Sequence, residues 1–144
     1  MTANAQTLTV HIRSFSYKDS IPKDPSGNGG GYVFDCRGIL NPGRFAEYKT
    51  QTGRDANVKE FLERQTAMPQ FLDTVATLVS ISLEDYINRG FQHLDINFGC
   101  TGGQHRSVYA ADWLTNYVQH KFPQVQVVTE HVVQERKNWI NHAY

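Results

Sequence analysis

One stretch constrains this chain more than any other: a strand that runs into a glycine-rich turn and straight on into a helix. Leu94, Ile96 and Phe98 alternate with Asp95 and Asn97 at the two-residue period of a strand. Gly99-Cys100-Thr101-Gly102-Gly103-Gln104-His105-Arg106-Ser107 follows at once. Ala110, Ala111, Leu114, Tyr117 and Val118 then mark an amphipathic helix that ends near Lys121, with Pro123 beyond it as a stop. Val125, Val127 and Val128 supply another strand. Strand, turn, helix and strand in that order form a βαβ unit, so the predicted class is α/β with a mostly parallel sheet flanked by helices.

The remaining elements fit that frame. Leu8, Val10 and Ile12 alternate with Thr9, His11 and Arg13, which predicts a strand with one buried face. On this reading His11 and His93 lie on solvated strand faces. Tyr32-Val33-Phe34 is a short apolar run expected to be a buried strand, with Cys36 as a core residue beside it. Val58, Phe61 and Leu62 open a helical pattern. After Pro69, Phe71, Leu72, Val75, Leu78 and Val79 carry an apolar stripe toward Gly90. Asp19 to Gly31, rich in Pro, Ser, Asn and Gly, reads as a mobile loop. It is no nucleotide P-loop, because no Lys-Ser or Lys-Thr pair follows its glycines. Gly38 to Asn57 reads as a functional loop without regular structure.

With no internal repeat and no linker, the 144 residues read as one domain, 1–144. Fourteen basic side chains balance 14 acidic ones, which argues against binding nucleic acid by bulk charge. Two cysteines make neither a disulfide framework nor a zinc site, so no metal and no cofactor is expected. Met1 to Val10 has no apolar h-region of a signal peptide, and no run reaches the length of a membrane helix. The expectation is a soluble, cytoplasmic protein with no membrane partner.

The turn at 99–107 carries the chemistry. A strand-to-helix turn gathers backbone N–H groups at the positive end of a helix dipole, which is a ready anion site. Gly102 and Gly103 let an oxyanion approach the backbone closely. Arg106 offers a planar fork for phosphate or carboxylate, and Thr101, His105 and Ser107 add donors. The plain alternative is a packing turn with Arg106 on the surface. A second alternative is catalytic. Cys100 and Arg106 in Cys-x5-Arg-Ser spacing resemble the phosphate loop of protein tyrosine phosphatases, in which a low-pKa thiolate attacks phosphorus. Gly99 stands where such enzymes usually carry His, and only Asp35 or Asp55 offers itself as general acid.

The longer segment Gly99 to Tyr109 resembles the signature of the C-terminal domain of the RapZ (RNase adapter protein) family. Ser14-Phe15-Ser16-Tyr17-Lys18 with Ile21-Pro22 is similar to that family's first strand and loop. Val33-Phe34-Asp35-Cys36-Arg37 with Asn41-Pro42 is similar to its second strand and Asp-x-Arg…Asn-Pro motif. Thr52-Gly53-x-Asp55, Phe61-Leu62 and His131 have counterparts as well. The resemblance implies a phosphofructokinase-like subdomain that senses glucosamine-6-phosphate and binds small regulatory RNA. In the family a Walker-type nucleotide-binding domain precedes it; no such domain lies in these 144 residues, so nucleotide hydrolysis is not carried over. By position, the resemblance implies a sugar-phosphate pocket made by Cys100, Thr101, Gly102, Gly103, His105, Arg106 and Ser107. Asp35 and Arg37 would lie at the neighbouring strand end, with Lys18 and Arg54 closing from loops. Binding is expected to order the loops around 18–31 and 41–55. Asp19 and Gly43 stand where the family often has His, and the basic tail is reduced to Arg136 and Lys137, which read as a solvated pair or a weak RNA contact.

The expected function is therefore non-catalytic recognition of a phosphorylated small molecule, with a small RNA or protein partner implied only by kinship. The catalytic alternative makes Cys100 a nucleophile. The identity of the sugar, the existence of a homo-oligomer and a separate nucleotide-binding partner chain are left open by the sequence.

Overall fold

The structure is a computed structural model that describes residues 7–28 and 30–144. Most of the Met1–Val10 reading and one residue of the 27–31 glycine run therefore lie outside the described residues. Four strands form a single all-parallel sheet: β1 (Thr9–Ser16), β2 (Gly31–Asp35), β3 (His93–Cys100) and β4 (Gln126–His131), in the spatial order β2-β3-β1-β4. The α/β class expected from the βαβ order is the one observed.

Helices α1 (Ala56–Gln65) and α2 (Met68–Arg89) lie in the crossover from β2 to β3 and α3 (Arg106–Lys121) in that from β3 to β4. The described residues between β1 and β2 form no helix, and a short α4 (Val132–Arg136) follows β4. Helix α3 packs on β1, β3 and β4, and α2 packs against α3. Between them lies the core, with Ile12, Leu94, Ile96 and Phe98 from the strands, Leu72, Val79 and Leu83 from α2, and Leu114 and Val118 from α3. Each of these fully buried side chains contributes about 1.5–3 kcal/mol of apolar burial. A break separates α1 from α2 at Thr66, whose hydroxyl donates to the Leu62 carbonyl (2.6 Å) and accepts from the Met68 amide (3.1 Å). Pro69 sits in the first turn of α2, and Gly90 caps its end.

Three sequence expectations need correction. Tyr32-Val33-Phe34 is not a buried strand but the sheet edge, with Val33 45% exposed, because β2 pairs only with β3. Arg13 is not on a solvated face. It is buried, with Nη1 2.7 Å from Asp95 Oδ2, Nε 3.2 Å from Glu130 Oε1 and Nη2 2.8 Å from His11 Nδ1. His11 and His93 are half-buried rather than solvated. A sheet can bury such residues only when they are paired, and Arg13 with Asp95 does so.

The stretch after β2 also departs from expectation. Three single-turn 3-10 helices occupy Cys36–Gly38, Pro42–Arg44 and Ala46–Tyr48. The Asp35 carboxylate accepts from the Arg37 amide, and the Asn41 side-chain oxygen accepts from the Gly43 amide at 2.9 Å. Each satisfies a donor that a short helix start would otherwise leave free. Cys36 belongs to the first of these turns and is fully buried, and burial pushes its thiol pKa well above the ordinary value.

Candidate functional site

In register, Ser16 of β1 lies beside Cys100 of β3, so the two central strands end level. Their onward connections leave in opposite directions, β1 toward β2 and β3 toward β4. Open α/β sheets place ligands at the carboxyl ends of strands that diverge in this way. The turn 101–105 sits there and opens into α3, and the Ser16 hydroxyl donates to the Thr101 carbonyl at 2.6 Å.

The turn is held rigidly from the other side. Gln104 Nε2 donates to the carbonyls of Lys49 (2.8 Å) and Gln51 (2.7 Å), and the Gly53 amide donates to the Gln104 carbonyl (3.0 Å). His105 Nε2 donates to the Tyr48 carbonyl at 2.8 Å. Arg106 is 4% exposed, and its Nη1 donates to the carbonyls of Arg37 (3.2 Å) and Ile39 (2.8 Å). Within the loop 41–55, expected to become ordered on binding, residues 48–53 are tied to the turn by these bonds. Burial is the main reason the His105 imidazole titrates below 6.5, so at neutral pH it is uncharged.

A cleft of about 330 Å³ lies over the turn, lined by Lys18, Asn41, Cys100, Thr101, Gly102, Gln104, His105, Arg106, Lys137 and Tyr144. That volume is at the lower end of small-molecule sites. Three cationic side chains line it and no acidic side chain does, among the described residues. Arg106 lines the cleft, and its Nε is buried without a hydrogen-bond partner. A buried guanidinium N–H left open is costly unless a ligand or water takes it. The first turn of α3 adds amides that have no acceptor within the helix.

Six of the predicted site residues are brought together here: Lys18, Cys100, Thr101, Gly102, His105 and Arg106. The other residues predicted for the ligand site do not line the cleft. Gly103, at φ +64°, faces the Val133 side chain. Ser107 is fully buried, with Oγ 3.1 Å from Cys100 Sγ. Asp35 and Arg37 pair with each other (2.8 Å) beside the cleft, where the Arg37 hydrogen bonds hold the Asp35 pKa low and the guanidinium lies 3.9 Å over the Tyr17 ring. Arg54 turns away to Asp112 (2.8 Å) and the Trp139 ring (4.4 Å). Arg136 is ion-paired with Asp19 at 3.2 Å, whereas Lys137, predicted with it as an RNA contact, lines the cleft and donates to Asn141 Oδ1 at 2.9 Å. Sequence reading missed Asn41, Gln104, Lys137 and Tyr144 as lining residues. Asn41 and Gln104 lay inside quoted motifs, but nothing in the spacing signals the return of Tyr144 to this end of the sheet.

Cys100 and Arg106, the pair of the catalytic alternative, share the cleft. Cys100 is 2% exposed with its sulfur hydrogen-bonded to Ser107, and the lining offers no acidic side chain to protonate a leaving group, among the described residues.

Fold and cleft together define the class: a small parallel α/β domain with a cationic crevice at the carboxyl ends of its central strands. The chain belongs to the RapZ C-terminal domain family, whose family model matches residues 8–135. It is 39% identical over 116 residues to a protein of Endomicrobium trichonymphae, covering 81% of this chain and 39% of that protein. It is 35% identical over 126 residues to one of Fervidobacterium nodosum (88% and 42%), and 40% identical over 108 residues to one of Dinoroseobacter shibae (75% and 34%). All three relatives bear the name nucleotide-binding protein, and the chain spans about two-fifths of their length or less. Among the described residues, no helix is long and apolar enough to cross a membrane.

Proposed function

We propose that the cleft binds a phosphorylated small molecule, a sugar phosphate such as glucosamine-6-phosphate, and that the domain acts as a ligand-responsive regulatory module rather than an enzyme. The observation that carries this reading is the buried Arg106, with an unpartnered Nε–H, in the lining of a cleft that also holds Lys18 and Lys137 and, among the described residues, no acidic side chain. A phosphate dianion satisfies all three cations and the turn amides at once, which no neutral ligand does. Family membership supports the choice of a sugar ester. A partner RNA is less well supported by the surface, because Lys137 Nζ is already bonded to Asn141 and Arg136 is already paired with Asp19.

The test is a thermal-shift and calorimetric series with glucosamine-6-phosphate, glucose-6-phosphate, inorganic phosphate and unphosphorylated glucosamine. A ligand at a hundred times its Kd should add about 2.7 kcal/mol of stability. Lys18→Ala should weaken phosphate-ester binding about tenfold, the loss of one charge-assisted contact. Arg106→Lys keeps the charge but loses the fork and should weaken it further. Equal binding of unphosphorylated glucosamine, or affinities unchanged in both variants, would overturn the reading.

A further inference from the structure

The segment after α4 returns over the cleft, although it lies beyond the residues that the family model matches. Its path is fixed by an unusual pair of backbone conformations. Asn138 (φ 55°) and Trp139 (φ 60°) are consecutive residues in the left-handed region, which costs a non-glycine residue energy and persists only where the surroundings impose it. The Asn138 amide donates to the Glu135 carbonyl and the Trp139 amide to the Gln134 carbonyl at 2.8 Å. The Trp139 ring meets His131 edge-on and carries Arg54 on its face. Asn141 then clasps Gln134 through two side-chain hydrogen bonds and accepts from Lys137 Nζ at 2.9 Å.

Tyr144 is thereby delivered to the rim. Its hydroxyl donates to the Gly43 carbonyl at 3.3 Å, and Lys49 Nζ lies 4.0 Å over its ring. Gly43 makes the room. A Cβ at that position would stand 2.5 Å from the Tyr144 hydroxyl, 3.2 Å from Asn41 Oδ1 and 3.3 Å from His105 Cε1. The pairing of a side-chain-free residue at 43 with a hydroxyl from 144 builds one wall of the cleft from two distant parts of the chain.

We infer that Tyr144 is a specificity-determining residue of this cleft, and that it selects phosphate esters whose far end carries a hydrogen-bond donor. The inference rests on the phosphate-ester reading above. The Tyr144 hydroxyl spends its hydrogen on Gly43 and keeps its acceptor lone pairs, so it favours an ammonium or hydroxyl group over an acceptor. The phosphate itself stays with the turn and the cations, and inorganic phosphate, which has no far end, is indifferent to Tyr144.

The experiment compares affinities of glucosamine-6-phosphate and inorganic phosphate for the full chain and for Tyr144→Phe, Gly43→Ala and the double variant. Gly43 has no left-handed φ, so alanine is compatible with its backbone and acts by displacing the hydroxyl. Each single variant should weaken the amino-sugar phosphate about fivefold, the worth of one hydrogen bond, with phosphate affinity unchanged. The double variant should be no weaker than either single one, because both remove the same contact. Amino-sugar phosphate affinity unchanged in Tyr144→Phe overturns the inference alone. So does an equal loss for inorganic phosphate, which would make Tyr144 a support for the turn. Failure of the wild-type chain to bind any phosphate ester overturns both this inference and the reading beneath it.

Discussion

Replacing Asp112 by asparagine tests the buried chain that joins β1, α3 and β4. His131, 1% exposed, places Nδ1 2.6 Å from Ser14 Oγ and Nε2 2.8 Å from Asp112 Oδ1. Arg54 Nε donates to the other carboxylate oxygen at 2.8 Å. Burial alone would raise the Asp112 pKa, but the hydrogen bonds from His131 and Arg54 outweigh it and hold the group at about 2, against an ordinary 3.8. That depression is worth about 2.4 kcal/mol at 1.36 kcal/mol per pKa unit, and water around the partly exposed carboxylate reduces it to about 1–2 kcal/mol. A carboxyl whose folded pKa is depressed contributes its stability above the unfolded pKa and loses it as pH falls toward the folded one. The contribution is therefore complete above about pH 5, mostly lost by about pH 2 and gone below it. Urea unfolding at pH 7, 5, 4, 3 and 2 should show wild type about 1–2 kcal/mol more stable than Asp112→Asn at pH 7. The two curves should nearly converge by pH 2, since all other carboxylates titrate alike in both. Curves that stay parallel across that window would refute the assignment of Asp112 as the depressed group.

Two further outcomes follow from the turn. At Gly53 a Cβ would lie 2.3 Å from the His105 carbonyl oxygen and 2.5 Å from the Tyr109 amide, both backbone atoms that cannot swing aside. Gly53→Ala should cost about 3 kcal/mol, or about 10 °C in melting temperature, and an unchanged melt would show that the turn can shift at little cost. Cys100→Ser should leave sugar-phosphate affinity within about twofold, because the sulfur contributes only a weak hydrogen bond. Phosphate release from an aryl phosphate that disappears in Cys100→Ser would instead establish the catalytic alternative.

How much of this was legible in the sequence differs sharply between fold and site. The strand-turn-helix at 94–121 carries its own signals, period two, then glycines, then period 3.6, and the structure follows them within a residue or two. The turn 99–106 was readable as an anion cradle because its donors are local. Arg13 was misread because alternation marks which side a residue faces and says nothing of what covers that side. The Asp95 partner sits 82 residues away. Val33 was misread for a related reason: an apolar run does not reveal whether its strand is central or at the edge. Arg54, Lys137 and Tyr144 show the same limit at the site, since a long side chain or a chain reversal at 138–139 decides their placement, and those follow from tertiary contacts.

The rigidity of the turn also determines where discrimination among ligands can arise. Its backbone is pinned by Gln104, His105 and Arg106 to carbonyls of the segment 37–51, all of them buried or half-buried bonds. A cradle held in this way is preorganised for one oxyanion geometry and gains affinity by avoiding the cost of ordering itself on binding. The same pinning prevents it from adapting to the remainder of a ligand. Selectivity among phosphate esters must then come from side chains at the rim, where Lys18, Lys137 and Tyr144 stand outside the turn and outside the segment that pins it. A rim substitution should accordingly change the ratio of affinities between esters, whereas a substitution in the turn should lower them all together.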